Sequence, residues 1–216
     1  MADIIFYHNP MSRGQIARWA LEEAGADYEQ VLLDYGTSMK DAAYLKYNPM
    51  GKVPCIVHQT DAGEQVVTEA AAICAYLADA YPAANLAPTD AERADYYRWL
   101  FYAAGPVEQA VSARSMGWAA TDPQKQGMLG FGCYDQVMDT LDGVIGDGRI
   151  YICGDRFTMA DVYFGSHIDW GLMFGSIDKR PSFEAYAARL KERPAYQKAK
   201  AIDGALIAEA QAKSAG

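Results

Sequence analysis

One stretch of the chain, residues 48–54 with the sequence Asn-Pro-Met-Gly-Lys-Val-Pro, has features that suit the capture of a small peptide. Pro54 stands second in a short apolar strand predicted over 53–57, and proline in a sheet is confined to edges, strand starts and bulges. We expect a cis Val53–Pro54 bond, since cis peptide bonds are essentially a proline phenomenon, with the backbone N–H and C=O of Val53 turned outward. Glu69 opens a predicted helix whose first-turn N–H groups suit a carboxylate. Together these residues predict a ligand that carries both an amine and a carboxylate.

The charge and hydropathy of the chain disfavour two classes of partner. Its 216 residues include 19 Lys or Arg and 28 Asp or Glu, which gives a formal net charge of −9. Phosphate contacts need clustered basic residues, so we expect no nucleic-acid partner. No apolar stretch reaches the length of a bilayer span, and the N-terminus shows no basic leader. We therefore expect a cytoplasmic protein without a membrane partner.

The cysteines predict neither a metal site nor a redox dithiol. None of the four forms a C-x-x-C pair, the spacing typical of zinc sites and thioredoxin-type dithiols. In a reducing compartment such residues are most often small, buried and apolar. We expect this structural role for Cys55, Cys74, Cys133 and Cys153.

The first part of the chain predicts alternating strands and helices. Apolar runs predict strands at 3–7, 28–33, 53–57 and 65–67. Helical spacing predicts helices at 12–24, 38–46 and 69–80. The order β-α-β-α-β-β-α fits a thioredoxin-like sheet with helices on both faces, and its first two strands should be parallel.

The strand signals stop after a linker at 82–88 that contains two prolines. Helical spacing then continues over 89–118, 123–145, 159–174, 183–191 and 195–211. The predicted fold class is therefore α/β followed by all-α, with a thioredoxin-like domain at 1–81 and an all-helical domain at 89–216. A capping box at 158–161, with Asp161 in place of Glu, is expected to stabilise the helical domain.

The order and spacing of several motifs resemble the cytosolic glutathione transferases. The matching motifs lie at 6–14, 48–54, 68–77 and 157–161, so the resemblance spans nearly the whole chain. The chain is identified on this basis as a bacterial member of serine type with a theta- or zeta-like N-terminal motif. The resemblance implies glutathione as co-substrate and no metal.

The resemblance implies that Ser12 favours the thiolate of glutathione. A free thiol of this kind has a pKa of about 8.5, and the thiolate is the attacking species. Ser12 aligns with the catalytic serine of the theta and zeta classes, where a hydroxyl donor and a helix N-terminus stabilise the anion. Two alternatives stay open: Ser12 as a simple helix N-cap, and Tyr7, at the strand end where other classes carry a catalytic tyrosine, as the activator.

The resemblance also implies which residues bind the rest of glutathione. Glu69 should accept from the γ-glutamyl amine, and Lys52 should pair with the glycine carboxylate beside Val53 and Pro54. The family usually carries a serine or threonine after this glutamate, whereas this chain has Ala70. Only the backbone N–H remains at that position, unless the Thr68 hydroxyl takes over the role.

An aromatic wall between the two domains is expected to hold the electrophile. Each of its candidates has the alternative of being a core residue at helical spacing. The candidates are Tyr102, Met116, Trp118, Tyr163, Trp170 and Phe174.

The expected function is a detoxifying transferase that joins the thiol of glutathione to apolar electrophiles. The resemblance implies a homodimer with the helices of about 89–146 along its two-fold axis. One alternative is another glutathione-dependent reaction at the same site, such as isomerisation, dehalogenation or peroxide reduction, although the chain lacks the Ser-Ser-Cys signature of the zeta isomerases. The other is a scaffold that binds glutathione without turnover.

Overall fold

The computed structural model describes residues 2–214, which form one four-stranded sheet and ten α-helices. In chain order the elements are β1 (Ile4–His8), α1 (Gly14–Ala24), β2 (Tyr28–Leu32), a 3₁₀ turn (Ser38–Lys40), α2 (Ala42–Leu45), β3 (Cys55–Thr60), β4 (Gly63–Thr68), α3 (Ala70–Ala80), a 3₁₀ turn (Pro82–Ala84), α4 (Arg93–Tyr102), a π-helical turn (Ala103–Val107), α5 (Glu108–Ser115), α6 (Pro123–Met128), α7 (Tyr134–Ile145), α8 (Met159–Phe174), α9 (Pro181–Lys191) and α10 (Pro194–Ser214). The predicted order β-α-β-α-β-β-α, followed by helices alone, is confirmed. Within this part of the chain, no helix is long and apolar enough to cross a membrane.

The chain divides into two compact units. The sheet unit contains the residues up to Leu86 together with those from Glu192 onward, and the helical unit is Ala87–Lys191. The last helix, α10, therefore packs with the sheet unit. The domain boundaries predicted from the sequence stay a prediction, because compactness alone does not test which segments fold independently.

The sheet has the strand order β2-β1-β3-β4. As expected, β1 and β2 run parallel, whereas β3 is antiparallel to both β1 and β4. The ladder of β3 begins at Cys55 and not at Val53 as predicted, because Pro54 has no N–H to donate. The predicted helix at 38–46 is interrupted at Asp41, whose backbone is extended.

Helix α1 contributes one apolar face to the core of the sheet unit. The apolar stripe predicted on α1 is confirmed, since Ile16, Trp19 and Ala20 are all buried. Gly25 ends the helix with a left-handed backbone, φ 65°, and its N–H returns to the last turn. Glycine adopts this conformation without the clash that a Cβ would cause.

A buried arginine ties four elements of the sheet unit together. Arg18 on α1 is 1% exposed, and its Nε donates to Oδ1 of Asp203 on α10 at 2.7 Å. Its Nη2 reaches Nε2 of His8 on β1 at 2.7 Å and Oε1 of Gln30 on β2 at 2.6 Å. Its Nη1 donates to the hydroxyl of Tyr28 at 2.9 Å. A buried charge is tolerated only with such partners, and loss of one typically costs about 3–5 kcal/mol.

This network requires His8 to be neutral. Burial, reinforced by the positive charge of Arg18, lowers the pKa of His8 from 6.5 to about 4. A neutral imidazole can accept the Arg18 hydrogen bond at Nε2, whereas a protonated one would repel the guanidinium.

The helical unit contains the predicted capping box at the start of α8. Thr158 is the N-cap and Asp161 the reciprocal partner. The buried Asp161 carboxylate accepts from the Ile152 N–H, the Thr158 N–H and the Tyr186 hydroxyl, at 2.7, 2.8 and 2.7 Å. These hydrogen bonds connect α8 to α9 and to the loop that precedes α8. They also satisfy buried polar groups that have no access to water.

Two long helices predicted in this unit are broken. The helix predicted over 89–118 contains the π-helical turn at Ala103–Val107, which encloses Pro106. The helix predicted over 123–145 stops at Met128 and resumes at Tyr134. Proline removes a helical N–H and glycine weakens a helix interior; Gly127, Gly130 and Gly132 surround the second break.

We expect the free energy of unfolding to fall as the pH is lowered from about 6.5 to 4. In this window His8 binds a proton in the unfolded chain but not in the folded chain, because the pKa of His8 is lower in the folded state than in the unfolded state. The loss attributable to His8 should approach about 3 kcal/mol. Denaturant titrations at pH 7 and pH 4.5 measure it.

The His8→Gln variant is the control for this pH dependence. A glutamine oxygen can accept from Arg18 but does not titrate, so the variant should lose less stability than the wild-type protein between the two pH values. Equal losses in the two proteins would show that His8 does not titrate in this window.

Candidate functional site

The strand register brings three chain segments to one edge of the sheet. Tyr7 near the end of β1 pairs with Cys55 at the start of β3, and Cys55 pairs with Thr68 at the end of β4. The loop after β1, the Val53–Pro54 bond before β3 and Glu69 after β4 therefore emerge side by side. We use the name sheet edge for this place, where β1 and β4 end and β3 begins.

The Val53–Pro54 bond is cis, as predicted. Val53 is half-buried and Pro54 is buried. No group within residues 2–214 hydrogen-bonds to the Val53 N–H or C=O. A backbone donor and acceptor at a sheet edge can pair with an extended peptide as an added strand would.

The Asn48–Lys52 segment holds Val53 in place. The Asn48 Nδ2 donates to the Lys52 carbonyl at 2.7 Å, and the Tyr44 hydroxyl donates to the same oxygen. Gly51 has φ 58°, and a Cβ there would lie 2.7 Å from a backbone oxygen of Met39. The glycine of this motif is thus required both by its backbone angle and by close packing. The hydrogen bond from Tyr44 to the Lys52 carbonyl could not be predicted from the sequence, because the two residues meet only when the chain between them has folded.

Glu69 lies at the sheet edge and has an unusual backbone conformation. It has φ 64° and ψ 118° and is one of two non-glycine residues with positive φ in the described chain. Such a conformation costs about 1–3 kcal/mol and clusters at functional sites. Its side chain is exposed and has no hydrogen bond or ion pair with any group in residues 2–214. The carboxylate is therefore available to a ligand.

The N-terminus of α3 adds donors beside this carboxylate. The Ile73 N–H makes its helical bond to the Glu69 carbonyl at 2.9 Å. The N–H groups of Ala70, Ala71 and Ala72 precede it and have no helical acceptor, and no side chain caps them. Ala70 is buried and Thr68 half-buried. An amine at Glu69 and a carboxylate at these N–H groups would both be satisfied.

Ser12 lies in the loop between β1 and α1 and is 8% exposed. Its Oγ donates to the Asn9 carbonyl at 2.6 Å and accepts from the Gly14 N–H at 2.9 Å. Arg13 stands at the N-cap position, although the Ser12 oxygen satisfies a first-turn donor as a cap would. To donate to a thiolate, the hydroxyl proton must turn away from Asn9. A Cβ on Gly14 would lie 2.8 Å from that of His8, which shows how tightly this turn is packed.

Asn9 positions Ser12, a role that was not predicted from the sequence. Its Nδ2 donates to the Leu33 carbonyl at 2.8 Å, and its Oδ1 accepts from the Met11 N–H at 2.9 Å. Its position before Pro10 in the loop was the available signal. Met11, next to Ser12, and Tyr35 are large exposed side chains, and this exposure cannot be read from sequence.

Tyr7 occupies a different environment from Ser12. Its ring lies 5.4 Å from those of both Tyr44 and Tyr47 and packs against a core that includes Cys55 and Val57. Burial and the neighbouring Tyr47 raise the pKa of Tyr7 to about 12. The phenol therefore stays protonated and is a weaker acid than an ordinary tyrosine.

Burial raises the pKa of three cysteines of the chain as well, Cys55, Cys74 and Cys153. The pKa of Cys55 and that of Cys153 are both about 12, so neither forms a thiolate at neutral pH. No cluster of three His, Cys, Asp or Glu side chains within residues 2–214 is placed to hold a metal ion.

The candidates for the electrophile wall differ in exposure. Met116, Trp118 and Phe174 are 63%, 73% and 72% exposed. Tyr102 and Trp170 are half-buried, whereas Tyr163 is buried against the ring of His167 at 4.8 Å. Lys52, the candidate for the glycine carboxylate, is exposed.

Comparisons with known proteins agree with this fold. Residues 2–79 match the family profile described as Glutathione S-transferase, N-terminal domain, and residues 107–170 match Glutathione S-transferase, C-terminal domain. The solved structure of a glutathione transferase from Methylococcus capsulatus is 30% identical over 93% of this chain and 98% of its own, with a TM-score of 0.74.

Two further relatives are similar over most of the chain. A sphingomonad glutathione S-transferase, solved in complex with glutathione, is 29% identical over 93% of this chain and 98% of its own, with a TM-score of 0.71. Maleylacetoacetate isomerase from Pseudomonas aeruginosa is 29% identical over 84% of this chain and 88% of its own.

Proposed function

The chain belongs to the glutathione S-transferase family, and from this premise we propose that it joins the sulfur of reduced glutathione to apolar electrophiles. The observation that carries the proposal is the group of unpaired polar atoms at the sheet edge. These are the N–H and C=O of Val53, the carboxylate of Glu69 and the first N–H groups of α3. Their chemistry matches a peptide with an amine and a carboxylate at one end.

Glutathione would lie along the sheet edge. The backbone of its cysteine pairs with Val53 as an added strand would, and Pro54 supports the turn beneath it. The γ-glutamyl amine binds the Glu69 carboxylate, and its own carboxylate accepts from the Ala70 N–H at the positive end of α3. Lys52 pairs with the glycine carboxylate. The hydroxyl of Thr68 takes the place of the family's usual serine or threonine after the glutamate.

Ser12 is proposed to favour the thiolate. Its hydroxyl turns from the Asn9 carbonyl to the sulfur, and the N–H groups at the start of α1 add positive potential. The thiolate then attacks an electrophilic carbon, and the leaving group departs with the bonding electron pair. Tyr7 is the second candidate for this donor, although its raised pKa and its packing against two tyrosines favour Ser12.

The electrophile is proposed to contact an apolar wall of the helical unit. The exposed side chains of Met116, Trp118 and Phe174 support this role, because large apolar groups on a surface mark binding sites. Tyr102, Tyr163 and Trp170 complete the proposed wall.

Two alternatives have specific support. The similarity to a maleylacetoacetate isomerase favours another glutathione-dependent reaction, although the chain has Met11, Ser12 and Arg13 where zeta isomerases carry Ser-Ser-Cys. Ala70 favours a scaffold that binds glutathione without turnover. Conjugation assays with aryl halides, epoxides and hydroperoxides, beside a maleylacetoacetate isomerisation assay, decide among them. Binding with no turnover of any substrate would overturn the transferase proposal.

Replacing Glu69 tests the glutathione site. Glu69→Ala should weaken glutathione binding by about 1–3 kcal/mol, since it removes a charged hydrogen-bond partner. Isothermal titration calorimetry measures this loss, and unchanged affinity would exclude the role.

Glu69→Gly is the matched variant. It removes the same carboxylate, but glycine adopts positive φ freely, so it should be more stable to heat than Glu69→Ala while binding glutathione equally weakly. Comparing the two variants separates the effect of losing the carboxylate on binding from the effect of the positive φ on stability.

Replacing Ser12 and Tyr7 in turn identifies the thiol activator. Ser12→Ala should raise the pKa of bound glutathione and lower turnover at neutral pH by about a hundredfold, as when one donor to an anion is lost. The KM for glutathione should change less, because most contacts lie elsewhere. Thiolate absorbance titrated against pH gives the pKa directly.

Tyr7→Phe should leave that pKa close to the wild-type value. A shift in Tyr7→Phe with none in Ser12→Ala would reassign the role to the tyrosine. No shift in either variant would assign it to the N–H groups at the start of α1.

We also propose a cytoplasmic homodimer. Reduced glutathione requires a reducing compartment, which fractionation of producing cells would check. Tyr97 and Phe101 form a stacked pair on α4 with ring centroids 6.3 Å apart, and Phe101 is 64% exposed. This pair suits a contact between two copies along the helices of residues 89–146.

Replacing Phe101 tests the dimer. Phe101→Asp should shift the mass measured by analytical ultracentrifugation from dimer towards monomer, because an unpaired buried charge is costly in an interface. Ile150→Asp, at another exposed apolar side chain of the same unit, should leave the mass unchanged. A wild-type monomer at micromolar concentration would contradict the proposal.

A further inference from the structure

One glutamine connects the last helix, α10, to the loop that carries Ser12. The Nε2 of Gln15 on α1 donates to the Pro10 carbonyl at 2.6 Å, and the Nζ of Lys200 on α10 donates to the Gln15 Oε1 at 2.9 Å. All of these residues belong to the sheet unit. Pro10 is buried, and Gln15 and Lys200 are half-buried. Two hydrogen bonds therefore link α10 to the residue two positions before Ser12.

These contacts permit only one orientation of the Gln15 amide. An ammonium group only donates and a carbonyl oxygen only accepts, whereas a glutamine amide has one end of each kind. Because Lys200 holds the amide oxygen, the amide nitrogen must face the Pro10 carbonyl. The positive charge beside the oxygen also polarises the amide, which strengthens the hydrogen bond that the nitrogen donates. Lys200 thus sets the direction of the amide and strengthens its bond to the loop.

The Pro10–Met11 peptide is held on both of its sides. Its C=O accepts from Gln15, and its N–H donates to the Asn9 Oδ1 at 2.9 Å. The next residue, Ser12, donates its own N–H to the Asn9 carbonyl at 3.1 Å. With the preceding peptide fixed in this way, the direction in which the Ser12 side chain leaves the backbone is fixed as well.

A second pair of residues keeps Lys200 opposite Gln15. Arg18 lies three residues after Gln15 and Asp203 lies three residues after Lys200, so the two contacts lie on the same faces of the two helices. The Nε of Arg18 donates to Asp203 at 2.7 Å, and both side chains are buried. Shifting α10 along α1 would leave this buried charge unpaired, which is costly. The place of Lys200 is therefore set by the Arg18 network.

We propose that Gln15 is a positioning residue for the thiol activator, and that Lys200 of α10 acts through it. This role rests on the proposed function, in which Ser12 donates to the thiolate. Gln15 fixes the loop so that the Ser12 hydroxyl can turn from the Asn9 carbonyl to the sulfur. A misplacement of about 1 Å can cost about a hundredfold in rate, so a loosened loop should affect the reaction more than the binding of glutathione.

Gln15→Met removes the contact with the loop and adds no charge. The two side chains are similar in length, but methionine cannot donate to the Pro10 carbonyl. The pKa of bound glutathione should rise by about one unit and kcat at neutral pH should fall about tenfold, whereas the KM for glutathione should change by about twofold at most. Thiolate absorbance titrated against pH and steady-state kinetics measure these values, and circular dichroism checks the fold. An unchanged pKa in this variant, beside a raised one in Ser12→Ala, would overturn the proposal.

Combining Gln15→Met with Ser12→Ala separates positioning from an effect on the site as a whole. If Gln15 acts through the Ser12 hydroxyl, its replacement should leave the pKa of bound glutathione close to that of Ser12→Ala alone, because residues that act together are not additive. A further full shift in the double variant would contradict a role through Ser12 and overturn the proposal.

Two lysines of α10 give the matched comparison. Lys200 contacts Gln15, whereas Lys198 pairs with Glu22 of α1 at 2.7 Å. Lys200→Met should raise the pKa of bound glutathione, and Lys200→Arg, which still donates to the amide oxygen, should keep it close to the wild-type value. Lys198→Met removes the same charge from the same helix and should leave the pKa unchanged. Equal shifts in the two methionine variants would overturn the role of Lys200.

Amide hydrogen exchange tests the loop in the absence of glutathione. The Met11 N–H is bound to Asn9, and in Gln15→Met it should exchange about tenfold faster, because the loop opens more often once its C=O contact is lost. NMR measures this rate, and equal rates in the variant and the wild-type protein would overturn the proposal. If Ser12→Ala leaves the pKa of bound glutathione unchanged, the proposed role of Ser12 fails, and the exchange rate still decides whether Gln15 holds the loop.

Discussion

The guanidinium of Arg18 is a full charge held away from water, and the sheet unit is arranged so that it stays paired. Asp203 from α10 balances the charge, while His8 and Gln30 accept from it on two adjacent strands. These partners come from opposite ends of the chain, so α10 must close over α1 before the charge is satisfied. The same residues fix the end of β1, from which the Ser12 loop departs. The position of Ser12 therefore depends indirectly on this buried charge.

The sheet edge shows how a small unit concentrates binding groups without forming a deep pocket. Antiparallel pairing of β3 with both neighbours places a strand start between two strand ends. The unpaired backbone of Val53, the strained Glu69 and the open end of α3 then share one edge. Each of these features is unfavourable in isolation. The Val53 backbone and the end of α3 have hydrogen-bonding groups without partners, and Glu69 has a strained backbone conformation. A peptide ligand would satisfy all three together.

The helical unit combines one regular and one irregular half. The capping box of α8 satisfies its buried polar groups within a few residues of sequence, and α8 has the same bounds as the predicted helix. Around Pro106 and the glycines at 127–132 the helices are distorted or broken, and a cavity lies between the distorted segments. Regular segments provide the scaffold, whereas the irregular ones leave open space between the helices.

The sequence by itself determined the order of the elements, the cis Val53–Pro54 bond, the capping box and the place of Glu69 at the start of α3. These features depend on residues close in the chain, where periodicity, proline and capping residues act directly. Only the tertiary structure decided the partners of Arg18, the Asn9 and Tyr44 contacts that hold the site, the packing of Tyr7 and the cavity. Those depend on residues that are distant in the chain and meet only when the fold is complete, so no local pattern encodes them. The positive φ of Glu69 belongs to the same group, because the strand before it and the helix after it together impose that angle.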